Sequence, residues 1–376
     1  MRIALVSVAP PFRGGISTHT AILYKHLCKK HTVKIFNFKR QYPNFLFPGK
    51  TQFFETNQFV DLNSLRIIDT LNPFSWYRTT SQIIKYMPDL IIFRFWNPFF
   101  GLCMGEISRS IKRKNTQIKQ IALCDNIVSH ESSIFDSWLT KFFFSNMDGF
   151  LVQSNKVKNE LLTLNKNSKF IIRNHPIYNH YGDLRNKEIC CKDIGLNKDF
   201  IILYFGYVRK YKGLDTLISA TKILKKRLEN FHVLAIGESY ENPQKYFDLI
   251  KKNDVTDVFT WENKFINDQD IAKFFSAADV VALPYHSASQ SGILQIAYHF
   301  NKPVVVTNVG GLPEYVEENS TGFIVNPNDP IQLAECLSKN FLNGKFKQMP
   351  NYITKYKEKF GWENFTNGIE ELYLKL

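Results

Sequence analysis

No uncharged apolar run in this chain reaches the ~18 residues that a membrane-crossing helix requires. Cysteine is scarce. The six present (Cys28, Cys103, Cys124, Cys190, Cys191 and Cys336) form no Cys-x-x-Cys pair and no His spacing typical of zinc, and they read as reduced thiols. Acid is short as well: 34 Asp plus Glu stand against 48 Lys plus Arg, a formal net charge of +14. A surface so short of acid attracts polyanions, whether nucleic acid, nucleotide phosphates or an anionic membrane face. No recognised nucleic-acid-binding module is present, so nucleic acid is not an expected partner. Met1-Arg2 lead straight into the apolar run Ile3–Val8, so no secretory leader is expected. The expected location is cytoplasmic, with peripheral attachment to the inner membrane face as a variant.

What is present is ample for folding. With 376 residues, 44% of them hydrophobic, the chain fits two α/β domains better than one core. Aromatics reach 15%, mostly through 33 Phe. That surplus must be buried or lie against something apolar outside the protein.

Two stretches share the grammar of strand, glycine loop and helix. The first runs from Ile3–Val8 through Pro10-Pro11-Phe12-Arg13-Gly14-Gly15 into a helix expected to open at Ser17 or Thr18, both good N-caps. The second runs from Phe200–Phe205 through Gly206 to Gly213, then into an amphipathic helix through Leu217, Ile218, Ala220 and Leu224. Further strands are expected at Thr32–Phe36, Leu90–Phe95, Gln120–Leu123 and Gly149–Val152, and again at His232–Ile236, Val258–Trp261, Val280–Leu283 and Pro303–Thr307. Short apolar runs alternating with helices imply parallel sheets. The expected domains are 1–183 and 184–356, with a turn to polar composition over Asp183–Lys192. A C-terminal helix over 357–376 has the first domain as a candidate packing partner. The long connection Phe38–Asn57 mixes aromatic and basic residues, and is either a functional loop or one that folds its aromatics onto the first domain.

Gly14 and Gly15 before a helix can bind an anion through free N–H groups, though a tight turn without ligand reads the same way. In Gly206–Leu214, Arg209 and Lys212 lie three residues apart at the carboxyl end of a strand, where open α/β sheets bind ligands. Two cations there can hold a diphosphate and stabilise charge as it leaves. Downstream, Gln290-Ser291-Gly292 follow the strand Val280–Leu283 and precede an apolar helix, so their N–H groups can meet an anion or a sugar hydroxyl. Gly310-Gly311 form another flexible turn after Pro303–Thr307.

The segment from Asp279 through Val325, with Arg209 and Lys212-Gly213 upstream, resembles the nucleotide-sugar domain of retaining GT-B glycosyltransferases of family 4. The likeness extends over nearly the whole chain. Gly14-Gly15 look like the N-terminal glycine loop of that family, and Asp125–Glu131 like its acceptor-side segment. The resemblance implies an α/β GT-B fold, two Rossmann-like domains with parallel sheets facing across a cleft. It implies metal-independent transfer from a nucleoside-diphosphate sugar to a hydroxyl with retention, and no cofactor beyond that co-substrate. Donor contacts fall on Gly14, Gly15, Arg209, Lys212, Glu238, Gln290, Ser291 and Gly292. Catalytic roles fall on Asp125, His130, Arg209 and Lys212, and no metal site is expected.

Three departures stand out. The family's pair of glutamates falls on Ala288 and Ile296; the Arg after the first loop glycine is Tyr207, with Arg209 as substitute; and the strand-end His is Asp125. Helix capping reads Asp125 and Glu131 as well as acceptor binding does. The missing glutamates leave a second reading, a non-catalytic sugar-nucleotide or lipid-binding scaffold of the same fold.

Arg109–Lys119 holds five basic residues and no acid, near Trp96-Asn97-Pro98-Phe99-Phe100 and the apolar run Ile134–Phe144. Basic residues beside exposed aromatics suit an anionic leaflet. A solvated helix face with core aromatics is the plainer reading. With the resemblance, the expected acceptor is a glycan or lipid-linked hydroxyl, in cell-surface polysaccharide or glycolipid synthesis.

Overall fold

The computed structural model describes residues 1–43, 52–53, 62–127 and 134–376. The chain forms two compact units, Met1–His175 with Trp362–Leu376, and Pro176–Gly361.

The first unit is built on seven parallel strands: β1 (Arg2–Val6), β2 (Thr32–Arg40), β3 (Ser64–Asp69), β4 (Leu90–Phe95), β5 (Lys119–Cys124), β6 (Gly149–Val152) and β7 (Phe170–Ile172). Their order is β3-β2-β1-β4-β5-β6-β7. Helices α1 (Gly15–Leu27), α2 (Pro73–Tyr86), α3 (Gly101–Lys114), α4 (Ile134–Phe144) and α5 (Asn155–Leu164) belong to this unit. β4 is buried along its whole length, as a central strand covered on both faces must be. Helix starts follow local chemistry. Asn72 caps α2 by accepting the Phe74 N–H, with Pro73 at the first position, and Ser154 caps α5 by accepting the Val157 N–H.

α1 opens at Gly15, two residues before the expected Ser17, which with Thr18 is buried inside the helix. The cause is Gly14, whose φ of 115° turns the chain into the helix where a side chain would be strained. β3 and β7 were not expected. β3 is an edge strand whose Ser-Leu-Arg-Ile-Ile-Asp sequence is half exposed, and β7 has three residues.

The second unit has six parallel strands: β8 (Phe200–Phe205), β9 (Phe231–Ile236), β10 (Phe259–Glu262), β11 (Val280–Leu283), β12 (Val304–Thr307) and β13 (Gly322–Val325). Their order is β10-β9-β8-β11-β12-β13. Its helices are α6 (Lys187–Asp193), α7 (Leu214–Leu224), α8 (Gln244–Lys252), α9 (Asp268–Ala277), α10 (Gly292–His299), α11 (Pro330–Leu342) and α12 (Lys345–Tyr356). β8 is wholly buried, and α7 turns Leu214, Leu217, Ile218, Ala220 and Leu224 inward.

The last helix, α13 (Trp362–Leu374), is part of the first unit. Trp362 stacks on His26 of α1 at 5.3 Å, His31 meets Glu370 at 2.9 Å, and Arg173 meets Glu371 at 2.5 Å.

The aromatic surplus is mostly internal. Trp96 and Phe100 lie in the first core, their rings 4.4 Å apart and both against Phe38, so they offer nothing to a membrane. Among the described residues, the exposed aromatics of this unit are instead Phe53, Phe74, Tyr77, Phe135 and Trp138.

Candidate functional site

In both sheets the strand order reverses direction at one place, between β1 and β4 and between β8 and β11. Chains leaving adjacent strands there turn to opposite faces and open a crevice at the carboxyl ends.

In the second unit this crevice gathers several of the expected residues. After β8 the chain passes Gly206 and enters a 3-10 turn, Lys210–Lys212. Gly213 follows at φ 67°, and a Cβ on it would lie 1.9 Å from the Pro284 carbonyl oxygen, so only glycine fits. The turn brings Lys212 back over Gly206. A Cβ on Gly206 would meet Lys212 Nζ at 3.3 Å and Ile293 of α10 at 3.2 Å. Lys212 Nζ also sits 5.7 Å from the Tyr285 ring centre. Burial, then the neighbouring Arg209 charge, pulls the Lys212 ammonium from 10.5 down to about 7. Arg209 itself is exposed and lies over the Tyr240 ring at 4.9 Å.

The loop after β11 is tied down. Thr307 Oγ1 donates to the Tyr285 carbonyl (2.5 Å), the Gly311 N–H donates to the Ser289 carbonyl (3.2 Å), and the Tyr285 and Ser291 hydroxyls are 3.2 Å apart. Ser291 stands at the N-cap of α10 without a side-chain cap bond, and Gly292 opens the helix. The N-terminal N–H groups of α10 and the Lys212 amine therefore belong to neighbouring loops of one switch point. Glu238, just past β9, is buried, and its carbonyl accepts the Val208 N–H (2.9 Å). Tyr207, Tyr240 and Phe265 form an aromatic group beyond β8, β9 and β10, with Tyr207 4.6 Å from Tyr240 and 6.3 Å from Phe265. Ala288 and Ile296 are buried.

The first unit places Gly14, Gly15 and Asp125 near its own switch point. Asn37 of β2 holds the chain after β1, accepting the Ala9 N–H and donating to the Ala9 and Pro10 carbonyls at 3.0–3.1 Å. Phe53, from the long connection, bridges to Phe12 with rings 4.9 Å apart, and the Arg13 N–H donates to the Gln52 carbonyl (2.9 Å). That much of the connection lies on the glycine loop; residues 44–51 and 54–57 of it fall outside the described residues.

Asp125 accepts from Arg94 Nε (2.6 Å) and Nη2 (2.8 Å) and from Gln153 Nε2 (2.8 Å). Arg94 Nη1 reaches His19 Nδ1 at 2.6 Å, which makes that nitrogen the acceptor. Burial, Arg94 and His175 hold His19 well below its ordinary value and keep it neutral. His130 and Glu131 lie outside the described residues. Arg94 and His19, which join Asp125 in this buried cluster, are not among the residues the sequence singles out. The available signal was a lone charge inside the apolar strand Leu90–Phe95.

Among the described residues no group of three or more His, Cys, Asp or Glu is arranged to hold a metal ion, and no helix is long and apolar enough to cross a membrane.

Residues 188–360 match the model of a family described as glycosyl transferases group 1. The match supports a group 1 glycosyltransferase. An uncharacterized glycosyltransferase of Methanocaldococcus jannaschii is 24% identical over all of this chain and 99% of its own length. The D-inositol 3-phosphate glycosyltransferase of Saccharomonospora viridis is 28% identical over 48% of this chain and 44% of that enzyme. Anabaena HepE, solved with UDP-glucose, superposes with a TM-score of 0.77 at 15% identity, over all of both chains. At that identity the likeness speaks for the fold, which is GT-B. The group 1 glycosyltransferase match covers most of the second unit, the one that carries Lys212 and the α10 N-terminus.

Proposed function

We propose that this chain is a retaining, metal-independent GT-B glycosyltransferase of family 4. It moves a sugar from a nucleoside-diphosphate sugar to a hydroxyl of a glycan or lipid-linked acceptor, in cell-surface polysaccharide or glycolipid synthesis. The observation that carries this reading is the Lys212 amine held over Gly206 beside the start of α10. A cation and a row of helix N–H groups at one switch point suit a diphosphate. The UDP-glucose bound to HepE supports a nucleotide-sugar donor.

In the reaction, the bond from the anomeric carbon to the diphosphate oxygen breaks while the acceptor oxygen bonds to the same face. The acceptor proton passes to the leaving phosphate. Lys212 and Arg209 stabilise the charge that develops there. Gln290, Ser291 and Gly292 contribute N–H groups, Gly14 and Gly15 a second set, and Glu238 a donor contact. Asp125 and His130 serve the acceptor side, Asp125 through its pair with Arg94. Without the family glutamates, the sugar is held chiefly by backbone donors. The enzyme works in the cytoplasm, attached to the inner membrane face through basic and aromatic side chains of the first unit.

Nucleotide release should be measured across several sugar donors, with and without EDTA. One donor should give turnover that survives chelation. Arg209→Ala or Lys212→Ala should cut turnover by roughly 10²–10³. Near-wild-type turnover in both variants, or complete loss in EDTA restored by Mg²⁺, would overturn the assignment. Absence of release from any of the donors would favour the non-catalytic scaffold.

A further inference from the structure

Among the described residues, no hydrogen bond or ion pair orients the Lys212 ammonium; it lies beside Gly206, where an added Cβ would come within 3.3 Å of Nζ, and 5.7 Å from the Tyr285 ring centre. Its direction is therefore set by the backbone of the Lys210–Lys212 turn. Inside that turn are two bonds, the Lys212 N–H to the Arg209 carbonyl (2.9 Å) and the Gly213 N–H to the Lys210 carbonyl (3.3 Å). Neither links the turn to the other side of the crevice.

One residue does. His286, in the loop after β11, donates its N–H to the Tyr211 carbonyl at 2.7 Å, in the middle of the turn. Its ring Nε2 lies 3.0 Å from Thr216 Oγ1 and 3.5 Å from Asp215 Oδ1, in the first turn of α7. The two ends of His286 thus grip the segment on both sides of Lys212. The residue before it, Tyr285, presents its ring to Lys212 and its hydroxyl to Ser291. We propose that His286 is a positioning residue, stapling the loop after β8 to the loop after β11 so that Lys212 and the α10 N-terminus face the same diphosphate. This inference rests on the role proposed for Lys212. No substrate atom touches His286; it acts through Lys212.

A misplacement on the order of 1 Å in a preorganised site costs up to ~10²-fold in rate. Loss of one of the two grips should cost less. His286→Ala should lower kcat about 10-fold and change the donor KM by less than about 3-fold, because the cation acts mainly in the transition state. His286→Gln, which can reach Thr216, should recover most of the loss. The decisive measurement is the double variant Lys212→Ala/His286→Ala: with the cation gone, the staple should add nothing further to the fall in kcat. An equal factor lost in both backgrounds, a wild-type kcat in His286→Ala, or no recovery in His286→Gln would overturn the proposal. If His286→Ala fails to fold, Thr216→Val takes its place in the same comparison, since it removes the ring's partner and leaves the backbone bond. Near-wild-type kcat in Lys212→Ala, with Arg209→Ala equally unaffected, would instead sink the proposed function. An impaired Lys212→Ala beside an unaffected His286→Ala sinks the staple alone.

Discussion

Arg94 and Asp125 face each other across the ends of β4 and β5 in a two-point ion pair, Nε to Oδ2 at 2.6 Å and Nη2 to Oδ1 at 2.8 Å, with only 2% of the Arg94 side chain exposed. Breaking such a pair from one side strands a charge in a poorly solvated interior. Asp125→Ala should cost about 3–5 kcal/mol of stability in denaturant unfolding of the first unit. Replacing both partners by apolar residues, as in R94M/D125L, should recover much of that loss, because no charge is then left buried. If Asp125→Ala unfolds like the wild type, the pair does not hold the two strand ends together.

Lys212 carries a stability cost whose sign can be worked out. Its amine falls from 10.5 in the unfolded chain to about 7 in the fold, through burial and then Arg209. Between those values the unfolded chain binds more protons, so stability rises with pH. Below about pH 7 both states are protonated and the cost is fully present. Lys212→Met should therefore raise the melting temperature, most at pH 6, and the gain should shrink as pH rises from 7 towards 10. A bound nucleoside diphosphate favours the charged amine, so binding near neutral pH should take up a proton in calorimetry with two buffers. A melting difference that does not vary with pH would contradict this account.

Gly213 and Gly344 share φ 67°, but a Cβ on Gly213 would lie 1.9 Å from the Pro284 carbonyl oxygen while one on Gly344 would meet nothing within 4 Å. Alanine at either position suffers the left-handed backbone strain, about 1–2 kcal/mol. Only Gly213→Ala adds a collision with backbone, and that collision pushes the turn carrying Lys212 away from β11. Gly344→Ala should lose ~1 kcal/mol and keep turnover; Gly213→Ala should lose clearly more and turn over poorly. Equal melting temperatures for the two variants would show that the loop after β11 yields freely.

Much of this fold was legible because buried parallel strands announce themselves as apolar runs. Leu90–Phe95, Gly149–Val152 and Val280–Leu283 fall where the sequence places them. β3 escaped because an edge strand carries polar and apolar residues in nearly equal measure. The start of α1 was misplaced because capping chemistry pointed to Ser17, whereas the glycine's φ decided. At the proposed site, Lys212 stood out by its loop position only together with the resemblance carried by Asp279–Val325. His286 did not, because its partners Thr216 and Tyr211 lie 70 or more residues upstream, and only the β8–β11 adjacency brings them together. Arg94 and Asp125 are likewise 31 residues apart and meet through strand order.

Membrane attachment, the last part of the proposed function, can be tested on the side chains the fold leaves outside. On α4, Phe135, Trp138 and Phe142 form an aromatic ladder with ring centres 5.8 and 5.9 Å apart, and the first two are largely exposed. On α2, Phe74 is 86% exposed and Tyr77 lies under the Lys114 ammonium at 5.0 Å. α3 ends on Lys112, Arg113 and Lys114, of which Lys112 is already paired with Asp148 at 2.9 Å. Each basic residue near an anionic leaflet contributes about 1 kcal/mol, so Arg113 and Lys114 should carry most of the charge term. Liposome co-sedimentation with anionic and neutral lipids, at low and high salt, separates charge from insertion. Replacing Lys112, Arg113 and Lys114 by Ser should weaken binding to anionic vesicles several-fold, and Phe135→Ser with Trp138→Ser should remove the part that survives high salt. Donor affinity should stay unchanged in both variants, since none of these residues is among the proposed donor contacts. Equal binding to neutral and anionic vesicles, indifferent to salt and to both sets of substitutions, would leave the excess positive charge with solubility and the capture of nucleotide sugar as its work.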